Sequence, residues 1–337
     1  MMKNGKRGAI RIAIALIGAG VLVFAAAFAL GGFSLKGMGG SYTQTPYRPD
    51  EDFDRVEIRD DMAQVHILPA EDGVCSVQCD EEREGSYTVE IEDGVLRVQR
   101  ERKWYEMISV HFAQPEVTVL LPEACYRSID VHTASGGIEV ENLEVDELKL
   151  RSTSGKVSLE GVNAEALEAK SSSGNLKTED CRLTKEATLH TTSGRVCIEN
   201  VEADGLRLES NSGDIEIDGL HASNLEAEST SGGIGMSRMN AKSLEAESTS
   251  GRIRMSDSTV AGRAELHTTS GGVQLERADA GEFEIHTTSG GVKGSVRSDK
   301  LFDVKTTSGS VDIPPSIRDA GAFIASTTSG SVRITVE

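Results

Sequence analysis

The stretch Leu225-Glu-Ala-Glu-Ser-Thr-Ser-Gly-Gly-Ile-Gly-Met236 alternates apolar and polar residues, breaks at a Ser-Gly pair, and alternates again. A period of two is that of a strand. The pattern recurs with its Gly at 136, 155, 174, 194, 213, 232, 251, 271, 290, 309 and 330, at intervals of 19, 19, 20, 19, 19, 19, 20, 19, 19 and 21 residues. A unit this short cannot hold a helix pair, but it fits one coil of a continuously winding chain of strands. Three inward patches can be read in each coil: Leu225, Ala227, Ser229 and Ser231, then Ile234 and Met236, then Met239 and Ala241. The expected fold is all-β, a three-sided parallel β-solenoid of about eleven 19–21-residue coils over residues 128–337. At about 4.8 Å per coil it rises on the order of 50 Å.

Two residues after each Gly stands an aliphatic, from Ile138 and Val157 through Val311 and Val332. Stacked, these make a buried spine of β-formers. The Ser before each Gly is expected to bond backbone groups at the corner and form a hydroxyl ladder. Gly there supplies either a positive φ or room for a neighbouring backbone. No His or Lys recurs beside the serines on the inward face, so they are not read as nucleophiles and no catalytic residue is assigned. Residues 51–127 hold irregular strand-like runs with Asp-Gly turns at 72–73 and 93–94, and are expected to form N-terminal coils and a cap.

The whole chain has 337 residues, a formal charge of −19 and 35 glycines, but only 8 Phe, 5 Tyr and 1 Trp. So few aromatics suit a thin interior of small and β-branched side chains better than a deep enzyme pocket. The acidity speaks against nucleic acid as a partner. The first forty residues hold five bases and no acid, leaving 30 bases against 54 acids, a net of −24, in the remainder. Residues 1–11 read as a basic cytoplasmic tail and 12–33 as an uncleaved transmembrane signal-anchor helix. Its core, Ile12 to Leu30, is 19 residues, or about 28 Å as a helix. The positive-inside rule puts the body outside the cytoplasm, and the uncharged run exceeds a usual signal-peptide core. Residues 34–50, rich in Gly, Ser, Thr and Pro, read as a stalk.

The run Val117-Thr-Val-Leu-Leu-Pro-Glu-Ala-Cys-Tyr126, followed by Ile129-Asp-Val-His-Thr-Ala-Ser-Gly136 and its echoes, resembles the bacterial putative-adhesin family with β-strand repeats, a group of domains of unknown function. The resemblance covers about residues 50–337. It implies a β-helix, often membrane-tethered in Gram-positive bacteria and sometimes associated with envelope-stress genes, and brings no catalytic residues with it.

The outward rows carry the candidate surface. Four residues before each Gly come His132, Arg151, Lys170, His190, Glu209, Glu228, Glu247, His267, His286, Lys305 and Ser326. Two residues earlier lie, among others, Arg207, Glu226, Glu245, Glu265, Glu284 and Asp303. Stacking gathers Glu209, Glu226, Glu228, Glu245, Glu247, Glu265 and Glu284 into a carboxylate stripe, able to meet Ca²⁺, Mg²⁺ or a cationic partner. The alternative is a solvated face that keeps the rod soluble. His267, His286 and Glu247 are the candidate transition-metal trio, against the alternative of two exposed histidines in a duplicated repeat. The Thr column two residues before the Gly has charged outward neighbours, which speaks against an ice-binding lattice. Of five cysteines, Cys75 and Cys79 share a strand face about 13 Å apart, too far for a disulfide unless the strand bends. Cys181 falls inward, Cys197 outward, and Cys125 has no assigned role.

Together these point to a non-catalytic, membrane-anchored envelope binding or structural protein needing no cofactor, whose partner is an envelope protein or a glycan. The alternative is a polysaccharide lyase or hydrolase, but intervals this uniform leave no insertion to wall a groove. An open C-terminal edge at Val332, Ile334 and Val336 is expected to allow weak end-to-end self-association.

Overall fold

The computed structural model describes residues 43–81, 86–101 and 114–337, and every regular element among them is a strand. The anchor expected over 12–33 and the tail over 1–11 lie outside the described residues. The stalk expected over 34–50 ends early, because Thr43–Tyr47 is a strand paired antiparallel to Ser76–Glu81.

The repeats form a parallel β-solenoid in which each coil is one rung. Burial alternates along the strands and breaks where two successive residues face outward: Glu141 and Asn142, Asp146 and Glu147, Thr153 and Ser154 in one rung. These breaks are the three corners. Between them lie three buried patches, for instance Leu148 with Leu150 and Ser152, Val157 with Leu159, and Val162 with Ala164.

The Ser-Gly corner is dictated by contact between rungs. A Cβ on Gly155, Gly232 or Gly330 would fall 1.8, 2.0 or 1.9 Å from the carbonyl oxygen of the stacked Gly136, Gly213 or Gly290. None of these three has a positive φ, so close approach is what requires Gly. The hydroxyl ladder exists but is built differently from the sequence reading. Its members stand three residues before the Gly, while Ser231 and its equivalents point to solvent. Ser152 Oγ donates to Gly136 O at 3.0 Å and accepts Gly155 N–H at 2.8 Å, and Ser248 repeats this with Gly232 and Gly251. Both phases carry Ser or Thr, and the two outward residues of the corner decide which hydroxyl turns in.

The second corner carries left-handed residues: Asn142, Gly161, Asp180, Asn200, Gly219, Arg238, Asp257 and Arg277. Asn, Asp and Gly suit that conformation. Arg277 there is tied to Asp257 by two hydrogen bonds of 2.7 and 2.6 Å. The third corner absorbs the extra residue of the two 20-residue coils as bulges, between Leu183 and Glu186 and between Val260 and Arg263.

Both ends of the stack depart from chain order. At the N-terminal end, Arg55–Arg59 is inserted between Val95–Arg100 and Cys125–Thr133. In this rung Asp60 takes the ladder position and Ala63 the corner. Asp60 Oδ1 accepts the amides of Met62 and Ala63, both at 2.6 Å, and Tyr87 Oη donates to Oδ2 at 2.6 Å. Burial, reinforced by Asp60, raises the pKa of the Tyr87 phenol and keeps it a donor. The hairpin Tyr87–Glu92 to Val95–Arg100 turns on Asp93 and Gly94, both left-handed. The Leu121-Pro122 step closes when Tyr126 Oη donates to Pro122 O at 2.8 Å.

At the other end Gly321–Thr327 lies between Val273–Thr287 and Lys300–Thr306. The final strand Val332–Val336 likewise pairs with both Val292–Val296 and Val311–Asp312. The expected open edge at Val332, Ile334 and Val336 is therefore wrong: Val332 and Ile334 are 0% and 2% exposed. Phe283, Phe323 and Phe302 stack in that order with centroids 5.4 and 5.3 Å apart. Lys300 spans the inserted rung, its Nζ donating to Asp279 Oδ1 and Ala280 O at 2.6 Å and to Ser298 Oγ at 2.9 Å.

Candidate interaction surface

Strand alternation fixes what this body shows to solvent, because residues flanking each buried position must face out. Parallel pairing without shift over most of one face brings like positions into columns. Glu209, Glu228, Glu247, His267 and His286 follow one another rung by rung, as do Arg207, Glu226, Glu245, Glu265 and Glu284. All seven glutamates named from the sequence thus share one face. Beyond His286 the column runs to Ser326 and then Lys305, the reverse of their order in the chain.

Arginines neutralise the two ends of the stripe. Arg207 pairs with Glu209, with Glu226 at 2.5 Å and with Glu228 at 3.3 Å. Arg263 pairs with Glu265 at 2.9 Å and with Glu284. Arg263 was not named from the sequence because it sits in a bulge, outside the regular rows. The hydrogen bond from Arg207 holds the Glu209 carboxyl below its ordinary value. Glu228 moves the other way, raised by partial burial and by a hydrogen bond shared with Glu226. Between these ends the side chains of Glu245 and Glu247 make no hydrogen bond or ion pair among the described residues.

Two shallow grooves flank the stripe. One, about 620 Å³, runs along the Ser-Gly corner beneath the Glu209 to His286 column and the threonines Thr230, Thr249, Thr269 and Thr288. The other, about 530 Å³, is bounded by Glu186 at one bulge and Arg263 at the other, with Gly205, Asn224 and Ser243 between them. Neither groove is walled by an inserted loop; the one added residue of each 20-residue coil bounds the second.

His267 and His286 are register partners with ring centroids 4.9 Å apart, and Glu247 is the register partner of His267 on the preceding rung. His286 bonds Glu284 Oε1 through Nε2 at 2.9 Å and Ser326 Oγ through Nδ1 at 2.5 Å. Among the described residues no three His, Cys, Asp or Glu side chains are gathered around one point suited to a metal. All five cysteines are free thiols. Burial raises Cys75 and Cys181 to about 11 and Cys79 to about 12, so these three are inert core residues.

A repeated scaffold with constant corners and variable outward rows, closed at Leu121-Pro122 and Tyr126, has a counterpart among known families. The Toastrack DUF4097 family model matches residues 53–220 and 204–337. The chain belongs to the Toastrack DUF4097 family. The resemblance read from the Leu-Pro-x-x-x-Tyr step and the Thr-Ser-Gly echoes is borne out. Solved structures similar to this Toastrack chain include a putative adhesin from Bacteroides fragilis NCTC 9343, 13% identical, covering 88% of this chain and 99% of that one with a TM-score of 0.39. A putative adhesin from Parabacteroides distasonis ATCC 8503 is 12% identical over 88% of this chain and 98% of that one, with a TM-score of 0.41. A putative lipid binding protein from the same organism is 12% identical over 87% and 97%, with a TM-score of 0.39. No curated protein matches the chain.

Proposed function

We propose that this Toastrack protein is a non-catalytic, membrane-anchored element of the cell envelope. Its solenoid lies outside the cytoplasm and meets an envelope protein or glycan. The observation that carries the binding role is the outward face: seven glutamates in register on neighbouring rungs, with Glu245 and Glu247 unneutralised at the centre. An array of carboxylates at fixed positions on a paired sheet suits a cationic or polyhydroxylated partner, since little backbone ordering is left to binding. The uncharged run of residues 12–33, with four bases before it, supports the anchor. Crosslinking and pull-down from native membranes test the binding role. Capture of the same partner by the native chain and by a Glu226→Gln, Glu245→Gln, Glu247→Gln variant would sink the assignment to this face. A reporter fused after Glu337 that is active only in the cytoplasm would sink the orientation.

The polysaccharide-enzyme reading is favoured by one feature, the Glu226–Glu228 pair with its raised member. Turnover of any cell-wall or plant polysaccharide that is abolished by Glu228→Gln would replace the reading proposed above.

A further inference from the structure

The end of the stack built from Lys300–Thr306 and Val311–Asp312 differs from every other part of the surface. Of the four large hydrophobic residues that stand exposed among the described residues, three are here: Leu301 at 43%, Val311 at 43% and Ile317 at 46%. The opposite end has an edge strand, Tyr87–Glu92, with Glu90 and Glu92 exposed along it, the usual way of blunting an edge.

Backbone directions at this end can be read from its hydrogen bonds. Thr307 N–H donates to Thr327 O, so odd-numbered residues face the strand Gly321–Thr327. Ile317 N–H donates to Lys300 O and Phe302 N–H donates to Ser316 Oγ, so even-numbered residues face the free side. The loop through Ser316 and Ile317 covers the edge as far as Phe302 and stops. Val304 therefore turns both its N–H and its C=O to the free side, with no hydrogen-bond partner among the described residues. Its side chain is half-buried with those of Phe302 and Thr306, while Asp303 and Lys305 lie exposed on either side, paired with each other at 3.1 Å and free to exchange that pairing for one across a contact.

We propose that this open rung pairs with the same rung of a second copy, antiparallel about a two-fold axis at Val304. A residue that offers both groups to one side is what an antiparallel hydrogen-bonded pair requires, so Val304 exchanges two bonds with its own counterpart. The next residues out form the closer, non-hydrogen-bonded pairs, which sets Asp303 against Lys305 of the second copy, twice over by symmetry. The sequence Asp303-Val304-Lys305 is charge-complementary to itself in this register alone. The paired stretch is short because the Ser316–Ile317 loop of each copy limits it, so the contact is weak and concentration-dependent.

Sedimentation velocity of the full chain in detergent, over a range of concentrations, tests the contact. The native chain is expected to pass from monomer to dimer as concentration rises. Lys305→Asp alone or Asp303→Lys alone places like charges opposite each other and should weaken association about tenfold, while the double exchange restores it. Both positions are exposed, so circular dichroism should report the same fold in all three variants. A native chain that stays monomeric, or single and double variants that associate as the native chain does, overturns the proposal. Association through the N-terminal segment would be shared by every variant, so it cannot imitate the loss and recovery. Failure of the contact leaves the reporter-fusion result for the anchor untouched.

Discussion

Exchanging Gly232 and Gly235 separately for Ala places one methyl group at two sites three residues apart. At Gly232 the new Cβ would lie 2.0 Å from Gly213 O and 2.4 Å from its carbonyl carbon. Both atoms are backbone held in the stacked rung, so neither can turn aside. Restoring an ordinary contact means parting two rungs by more than about 1 Å from a spacing of about 4.8 Å. Overpacking of this kind costs about 1–3 kcal/mol. Parting the rungs also stretches the Ser229 link, which donates to Gly213 O at 3.3 Å and accepts Gly232 N–H at 3.0 Å; two such bonds contribute about 2 kcal/mol together. The expected loss is therefore about 3–5 kcal/mol. At Gly235 a Cβ meets nothing within 4 Å and φ is ordinary, so Ala there should be neutral or stabilise by up to about 0.5 kcal/mol. Urea unfolding of the full chain in detergent gives the two differences, and hydrogen exchange at rungs 213 to 251 locates the opening. If the two variants agree within about 1 kcal/mol, the close-approach account of the Ser-Gly corner is wrong.

Other expected outcomes concern the ladder, the clamp and the stripe. Ser248→Val removes the one hydroxyl that bonds both Gly232 O and Gly251 N–H and should cost about 2 kcal/mol in the same assay, whereas Ser248→Thr should stay within about 0.5 kcal/mol because Thr191 and Thr268 make the same bonds. Lys300→Met leaves Asp279 without its cation at a site where the lysine side chain is 3% exposed; a loss of about 3 kcal/mol is expected, with early proteolytic cleavage near residues 300–320. Glu228 has a raised carboxyl pKa in the fold, so its contribution is fully present at acid pH below the unfolded value and is lost as pH rises through the folded value. Glu228→Gln should therefore stabilise at pH 7, by about 0.5 kcal/mol or less after solvent screening, and the gain should vanish near pH 4. A pH-independent gain would point to packing instead.

Much of the architecture was legible because the repeat is enforced by contacts between equivalent residues. The Val157, Val196 and Val273 column and the outward glutamate rows follow from counting by two on either side of Gly, and the inward Cys181 from its alignment with Leu143, Val162 and Met239 in other coils. The features that escaped depend on departures from that count. The ladder hydroxyl lies two residues before the one the Ser-Gly pair suggests, because Ser229 and Ser231 are chemically alike and only the corner geometry separates them. The left-handed column was hidden because Arg238 and Arg277 interrupt a run of Asn, Asp and Gly. Arg263 and the second groove arise from a single inserted residue. The order of the last rungs was illegible for a clearer reason: Phe283, Phe302 and Phe323 occupy equivalent positions, so either order stacks the same side chains. The 21-residue interval and Pro314-Pro315 mark an irregularity there without saying which strand moves.

That reordering changes how the stack loses its ends. In a simple repeat array each terminal unit contacts one neighbour and can leave alone. Here the strand that ends the chain, Val332–Val336, is enclosed between Val292–Val296 and Val311–Asp312. It cannot leave until the outermost rung lifts, and Lys300 ties that rung two layers down, to Asp279 and Ala280. Arg55–Arg59 is enclosed in the same way at the other end. The end capped by Lys300–Thr306 therefore opens as a block of two rungs, and its first point of opening is an internal segment held by the chain on both sides. At the Lys300–Thr306 end that segment also carries the bare edge at Val304. An enclosed terminus gives such an edge a fixed geometry, which is what a short contact of only a few residues needs in order to have a register at all.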